Sequence, residues 1–353
     1  MNHSEEKPIS RRELLKRTSI KLLQLIGICG CALTAASLLG GWAPVFDLTS
    51  HFPVQYFAGL AGVAAIHAGL RQWRFAALVG SASLVNLLQF LPLYFGGTSQ
   101  AERVKAIDIS VMTINVLRQN RDHSAVRKTI EASAPDLVAL LEVDQRWIDA
   151  LSDLGKNYPY SITEPREHNF GMALYSRVPL KNARIIRFVP DGVLSLVAGV
   201  EINERSLTVV ATHPVPPSST ASSHERNQQL AAIADFADQR MEPVLVFGDL
   251  NTTPWNRHFR KLLKRGGLLD SGKGFGLQPT WPGSWMPKIA RYIGLATAGR
   301  PATSPFDNFL FRIPIDHCLH SPELQTVDRT VGNYVGSDHL PLTIKLRFRN
   351  ENH

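Results

Sequence analysis

Val244-Leu245-Val246-Phe247-Gly248-Asp249-Leu250-Asn251 sets four apolar residues directly before a glycine, a carboxylate and an amide. A short apolar run of this kind, rich in β-branched residues, predicts a strand buried on both faces. Polar side chains at the point where such a strand ends are where open α/β sheets place their sites. Alone, Asp249 reads as readily as a turn residue. The pattern recurs, however: Asn115 closes Thr113-Ile114-Asn115, Glu142 follows Leu140-Leu141, and His213 follows Ala211-Thr212. Asp316 follows Ile315, and Asp338 with His339 stands in Gly336-Ser337-Asp338-His339.

Working outward, runs from Ile107 to Val116, Leu137 to Leu141, Leu194 to Val200, Leu207 to Ala211 and Val244 to Phe247 predict strands. Ser124 to Ser133 and His224 to Gln239 predict helices between them. Gly266 to Ser304, rich in Gly, Pro, Ser and Trp, predicts long surface loops. Residues 106–348 thus read as one mixed α/β domain.

The composition changes near residue 100. Leu22 to Ala43, Phe52 to Leu70 and Phe75 to Phe95 contain no Asp, Glu, Lys or Arg. Each approaches the ~20 residues that a helix needs to cross ~30 Å of hydrocarbon. The sequence therefore predicts a basic cytoplasmic tail at 1–21, a three-span membrane region at 22–95, a linker at 96–105 and the α/β domain beyond it. Lys and Arg crowd the tail and the Arg71-Gln72-Trp73-Arg74 link, whereas the link between the first two runs has none. By the positive-inside rule the N-terminus is cytoplasmic, and an odd number of spans puts the domain in the periplasm or outside a bacterial-type plasma membrane. Trp42, Trp73 and Tyr94 lie where interfacial anchors sit. Ser10-Arg11-Arg12-Glu13-Leu14-Leu15-Lys16 resembles a twin-arginine export signal, but with two more spans following and no clear small-x-small cleavage site it reads first as basic residues flanking the first span; either way the domain is exported.

Of the 353 residues, 44% are hydrophobic and 19% charged, which excludes a disordered chain. Only 3 cysteines are present, which excludes a disulfide-stapled scaffold. The net charge of +8 divides evenly: 8 basic against 4 acidic residues up to position 100, and 30 against 26 after it. A surplus of +4 on 253 residues is a mild sign of polyanionic substrates. Gly272-Lys273-Gly274-Phe275-Gly276 lacks the Lys-Ser/Thr ending and preceding strand of a phosphate cradle and reads as a flexible loop. Trp281 and Trp285 read as surface-loop anchors or stacking platforms.

Read in order, five segments resemble the endonuclease/exonuclease/phosphatase superfamily, which includes DNase I-like nucleases. They are Pro135-Asp136-Leu137-Val138-Ala139-Leu140-Leu141-Glu142, Phe170-Gly171-Met172-Ala173-Leu174-Tyr175-Ser176-Arg177, Gly248-Asp249-Leu250-Asn251-Thr252-Thr253-Pro254-Trp255, Pro279-Thr280-Trp281-Pro282 and Gly336-Ser337-Asp338-His339-Leu340-Pro341-Leu342. The resemblance implies a four-layer α-β-β-α sandwich of two packed mixed β-sheets, here preceded by three transmembrane helices. It implies phosphoester hydrolysis with Mg²⁺ or Mn²⁺, hard cations suited to oxygen ligands. Glu142 would be the principal metal ligand, helped by Asn115, Asp338 and Asp249. Asn251 and His213 would contact the scissile phosphate. His339 paired with Asp316 would be the polarising pair, and Asp249 would position water. Leu117 stands where repair-type members carry a second acid, and Tyr160, His168 and Asn169 are the local candidates for a further phosphate contact. His317, next to Asp316, would face away from it by strand alternation.

The implied activity is that of a membrane-tethered, metal-dependent phosphodiesterase, nuclease-like in substrate. The alternatives are a sphingomyelinase-like or inositol-phosphate hydrolase, or a binding module that holds a phosphate ligand without turnover. The implied partners are the phosphoester substrate, nucleic acid or phospholipid, and the membrane; no protein partner is implied.

Overall fold

The computed structural model describes residues 10–96, 107–283 and 309–349. Four helices come first: Arg11–Leu38 (α1), Pro44–Thr49 (α2), Pro53–Gly69 (α3) and Trp73–Phe90 (α4), the last continued by a 3-10 turn, Leu91–Tyr94. Then follow Ile109–Asn115 (β1), His123–Ser133 (α5), Leu137–Leu141 (β2), Gln145–Ala150 (α6), Tyr160–Glu164 (β3), Met172–Ser176 (β4) and Lys181–Arg187 (β5). The second half holds Leu194–Ile202 (β6), Arg205–Thr212 (β7), Thr220–Asp238 (α7), Val244–Asp249 (β8), Arg257–Arg265 (α8) and Leu269–Asp270 (β9). Asp316–His320 (β10), Leu324–Val331 (β11) and Leu342–Phe348 (β12) complete the described chain.

Two six-stranded mixed sheets result, ordered β11-β12-β1-β2-β4-β3 and β5-β6-β7-β8-β10-β9. Each contains one parallel pair, β1 with β2 and β7 with β8. A parallel pair cannot be closed by a hairpin and needs a crossover. Here α5 and α7 supply the two crossovers. Alternation then sorts the side chains. Ile109 and Val111 of β1 meet Val209, Leu245 and Phe247 of the other sheet in the central core. Met112 and Ile114 turn outward to Val126 and Ile130 of α5 and Trp147 of α6. On the opposite side Val210 and Val246 meet Leu230 and Ile233 of α7 and Phe259 and Leu262 of α8. The order is helix, sheet, sheet, helix, and full burial of each such side chain stabilises the fold by about 1.5–3 kcal/mol.

The strand expectations hold within two residues at each end. The Gly266 to Ser304 stretch is less loose than its composition implies. Leu269–Asp270 pairs with β10. The turn at Gly272–Gly276 is docked, since the N–H groups of Gly274 and Gly276 donate to the Leu93 carbonyl at 2.7 and 3.0 Å. Trp285 and the rest of that stretch lie outside the described residues.

The N-terminal region departs from the three-run reading in two ways. First, α1 begins at Arg11, where the Ser10 hydroxyl caps it by accepting from the Glu13 N–H at 3.2 Å, so half of the basic tail is helix. Second, among the described residues only Arg11–Leu38 and Trp73–Tyr94 are long and apolar enough to cross a membrane by composition and length. The middle run starts its helix at Pro53, as a proline at the first helical position favours, and α3 has 17 residues. That is about 26 Å of helix, the lower edge of spanning length. The three helices pack closely: a Cβ on Gly30 would lie 2.6 Å from Leu60 Cδ2. Polar links join them, with Asn86 Nδ2 donating to Thr34 Oγ1 at 2.8 Å and Ser83 Oγ to the Phe57 carbonyl at 3.0 Å. Trp42 is 81% exposed. Of the expected linker at 96–105, only Gly96 is among the described residues.

The helices do not hang free of the sandwich. Val54, Phe90 and Leu93 form one apolar cluster with Trp255, which follows β8. Gln55 Nε2 donates to the carbonyls of Leu310 and Arg312 at 2.8 and 3.2 Å.

Candidate active site

The C-terminal ends of the two parallel pairs converge. Asn115 is the last residue of β1 and Glu142 follows β2; His213 follows β7 and Asp249 ends β8. Asp316 opens β10 directly opposite Asp249 in the antiparallel register. The loop before β12 brings His339, which Ser337 anchors: its hydroxyl donates to the Asn115 carbonyl at 2.6 Å and accepts from the His339 N–H at 3.1 Å.

The backbone is specialised at these strand ends. Gly248 has φ of +145°, and a Cβ there would lie 2.0 Å from the Thr212 carbonyl oxygen. Only glycine permits this approach of β8 to β7. Glu142 and Asn251 have φ of 61° and 49°, left-handed values that cost side-chain-bearing residues of order 1–3 kcal/mol each. Asn251 recovers part of this through an N–H bond to Asp249 Oδ1 at 2.9 Å. Strain of this kind persists only where the surroundings over-determine it.

Three donors converge on one oxygen. Asp249 Oδ2 lies 3.4 Å from Asn115 Nδ2, 3.4 Å from His213 Nε2 and 3.6 Å from His339 Nε2. Asn115 Nδ2 also donates to Glu142 Oε1 at 3.0 Å, while its Oδ1 accepts from the Leu117 N–H at 3.1 Å. Its amide nitrogen therefore bridges the two carboxylates, while its oxygen, with two lone pairs, accepts one backbone N–H. The other ring nitrogen of His339, Nδ1, lies 2.9 Å from Asp316 Oδ2. Asn251 Nδ2 donates to the Pro214 carbonyl at 2.9 Å.

These contacts set the charge states. Burial works to lower the His339 pKa, but the carboxylates of Asp316 and Asp249 outweigh it and push the ring up to about 10. His213 is likewise raised, burial opposing and Asp249 prevailing. Burial would raise Asp249, yet His339 and His213 hold it below the usual carboxylate range.

A cavity of about 670 Å³ opens onto Glu142, His213, Asp249, Asn251, Asp338 and His339. Six of the eight expected residues thus face one space, and Asn115 and Asp316 reach it through the hydrogen bonds above. Of the further candidates, His168 and Asn169 line the cavity, whereas Tyr160 stands exposed at the start of β3. Arg118, three residues past Asn115, also lines it and was not singled out from the sequence. Its signal is a cation just past a polar strand end, which in a sequence looks like any loop arginine. His317 turns to the other face of β10, against the Phe259 ring and the Thr252 carbonyl at 2.8 Å. A larger groove of about 1210 Å³, between Trp42 and α8, contains none of the eight.

The donor set fits a hard divalent cation. Glu142 Oε2 is buried and has no hydrogen-bond partner among the described residues, and the carboxylates of Asp249 and Asp338 line the same cavity. Ligand atoms of Asp249, Asp316 and His339 also lie within 4.8 Å of one another. In that trio, however, the Nδ1 of the ring is hydrogen-bonded to Asp316 and the ring carries its own charge. The carboxylates of Glu142, Asp249 and Asp338 that line the cavity are oxygen donors of the kind that Mg²⁺ or Mn²⁺ takes.

The sequence model of the Endonuclease/Exonuclease/phosphatase family matches residues 112–339, which take in all eight residues. No curated protein sequence matches the chain. Among solved structures, an endonuclease/exonuclease/phosphatase from Beutenbergia cavernae DSM 12333 is 22% identical, covers 69% of this chain and 72% of its own, and has a TM-score of 0.51. D. rerio TDP2, solved with a single-strand DNA product, is 17% identical over 68% of this chain and 98% of its own, with a TM-score of 0.52. A protein of unknown function from Enterococcus faecalis V583 is 16% identical over 68% of this chain and 100% of its own, with a TM-score of 0.54. At these identities the likeness is one of fold.

Proposed function

Since the chain belongs to the Endonuclease/Exonuclease/phosphatase family, we propose that it is a membrane-tethered, divalent-metal-dependent phosphoester hydrolase. The observation that carries this reading is the unpartnered, buried Glu142 Oε2 in a cavity that Asp249 also lines, together with two histidines whose pKa values neighbouring carboxylates raise. Glu142, with Asp249 and Asp338, would hold Mg²⁺ or Mn²⁺. Such a cation, when bound, neutralises charge on the phosphate oxygens.

The chain's own residues do the rest. His339, kept charged between Asp316 and Asp249, donates to a phosphate oxygen where negative charge grows. His213 and Asn251 contact the same group, and Arg118, which also lines the cavity, adds a second cation. Asp249, held ionised, accepts from the attacking water and orients it for in-line displacement. Because His339 is charged at neutral pH, its part is polarisation and proton donation to the leaving oxygen.

The tether reading rests on the apolar helices. The connection 39–52 and the end of α4 lie against the sandwich, while the Arg71 and Arg74 link lies at the other end of α3 and α4. This supports a cytoplasmic N-terminus and basic link with the sandwich on the outer side. Nucleic acid remains the substrate that the family resemblance implies first. A second reading, a lipid phosphoester, is favoured by one observation: Leu48, Phe52, Phe170, Ile313 and Ile315 give the cavity an apolar wall next to the helices. Mg²⁺-dependent turnover of DNA, RNA, sphingomyelin and phosphoinositides by the full chain separates the two.

A further inference from the structure

Asp47 lies in α2, inside the connection between the first two apolar helices, yet its side chain is 2% exposed and that of its partner Arg226 is 0% exposed. Arg226 projects from α7, the crossover helix of the second sheet. Its Nη2 donates to Asp47 Oδ2 at 2.5 Å, and its Nη1 donates to the main-chain carbonyl of Asn251 at 2.9 Å. The other Asp47 oxygen accepts from Asn256 Nδ2 at 2.7 Å, and that amide also reaches Ser50 Oγ at 3.0 Å. Between these points His51 Nδ1 lies 3.0 Å from Thr253 Oγ1. The connection therefore holds Thr253 and Asn256 directly and reaches Asn251, a residue of the cavity, through Arg226.

Simple adhesion between two regions does not call for this arrangement. A fully buried ion pair loses much of its gain to desolvation, and well-packed apolar residues of similar volume hold surfaces together equally well. What an apolar pair cannot do is hydrogen-bond the Asn251 carbonyl, and Asn251 is held at a left-handed φ of 49°. On its other side the same connection presents Leu48, His51 and Phe52 to the cavity that holds Glu142 and Asp249.

We propose that the connection from Pro44 to Gln55 is a working part of the active site: Asp47, through Arg226, is a positioning residue for Asn251, and His51 with Phe52 walls the substrate cleft. The proposal rests on the reading of Asn251 as a phosphate contact. It makes turnover depend on the seating of the apolar helices against the sandwich, so that the membrane region is required for chemistry as well as for anchoring.

The test uses the full chain in lipid nanodiscs, with Mg²⁺ and bis(4-nitrophenyl) phosphate as the probe. Asp47→Leu combined with Arg226→Met removes both charges and leaves neither stranded in the interior. This double variant is expected to fold, to bind Mg²⁺ as the unaltered protein does, and to lose about 10-fold or more in kcat with KM within about 2-fold, the pattern of a displaced catalytic group. Hydrogen exchange at residues 251–253 should be faster in it. Asp47→Glu should keep more activity than Asp47→Asn, and Phe52→Ala should raise KM by about 3-fold or more. A folded double variant with unchanged kcat and unchanged exchange overturns the positioning role, and an unchanged KM in Phe52→Ala overturns the wall. If the unaltered protein shows no metal-dependent turnover, the hydrolase reading fails, while the exchange comparison still decides whether Asp47 and Arg226 hold Asn251.

Discussion

Replacing Asp316 by Asn keeps the shape of the side chain that faces His339 and removes its charge. The carboxylate oxygen is 2.9 Å from Nδ1, and both side chains are buried. At an effective dielectric of ~20, opposite charges ~4 Å apart attract by about 4 kcal/mol, which is about 3 pKa units. The ring, pushed up to about 10 in the native site, should therefore titrate near ~7 in Asp316→Asn, with Asp249 still holding it above a buried neutral histidine. Because the raised value keeps His339 charged through neutral pH, a ring titrating near ~7 is only about one-tenth charged near pH ~8, and the variant should lose about 10-fold in kcat there. It should regain part of this near pH ~6 as the ring recharges. Histidine NMR titration of the metal-free protein and pH–rate profiles with Mg²⁺ are the two assays. Asp316 acts through His339, so Asp316→Asn with His339→Ala should cost little more than the worse single change. Multiplying costs, or a ring that still titrates near its native value in Asp316→Asn, would refute this account of the pair.

Glu142→Ala should lose most activity and recover part of it in excess Mg²⁺, because the principal anionic ligand is gone; equal activity at low metal contradicts the assignment. Alkaline phosphatase joined after Lys105 should be active and a cytoplasmic reporter silent at the same point; the reverse would put the sandwich in the cytoplasm. Burial opposes ionisation of Asp47, but Arg226 and Asn256 outweigh it and hold the carboxyl low. The stabilisation from this pair is thus complete above pH ~4, the unfolded value, and is lost only as pH falls through the lower folded value. Acid unfolding followed by circular dichroism should show a steeper loss below pH ~4 in the unaltered protein than in Asp47→Leu/Arg226→Met.

The sandwich and most of its site are legible in the sequence for one reason: each parallel strand carries a largely apolar run with a polar residue at or just past its end. Leu137–Leu141 is a strand to the residue, and Asn115, Glu142, His213 and Asp249 stand at strand ends as the pattern implies. The exposed edge strand Lys181–Arg187 is not legible, because its residues show no sustained alternation of apolar and polar and six of the seven are exposed. The bond between Asp47 and Arg226 spans 179 positions. No periodicity links two such residues, and an acid between apolar runs reads as a solvated loop residue. The docked Gly272–Gly276 turn is hidden in the same way, since its partner is a main-chain carbonyl at Leu93. The left-handed backbone of Glu142 carries no sequence signal, because a residue without a glycine's freedom is held there by its surroundings.

The central claim, that the cavity around Glu142 and Asp249 hydrolyses phosphoesters with a divalent cation, is tested most directly by initial rates of the purified full chain in nanodiscs on bis(4-nitrophenyl) phosphate, with Mg²⁺ titrated after chelation. The account predicts no turnover in chelator, saturable recovery with Mg²⁺ or Mn²⁺, and an apparent metal affinity that weakens in Glu142→Gln. Turnover that persists in chelator, or one whose metal dependence is the same in Glu142→Gln, would contradict it.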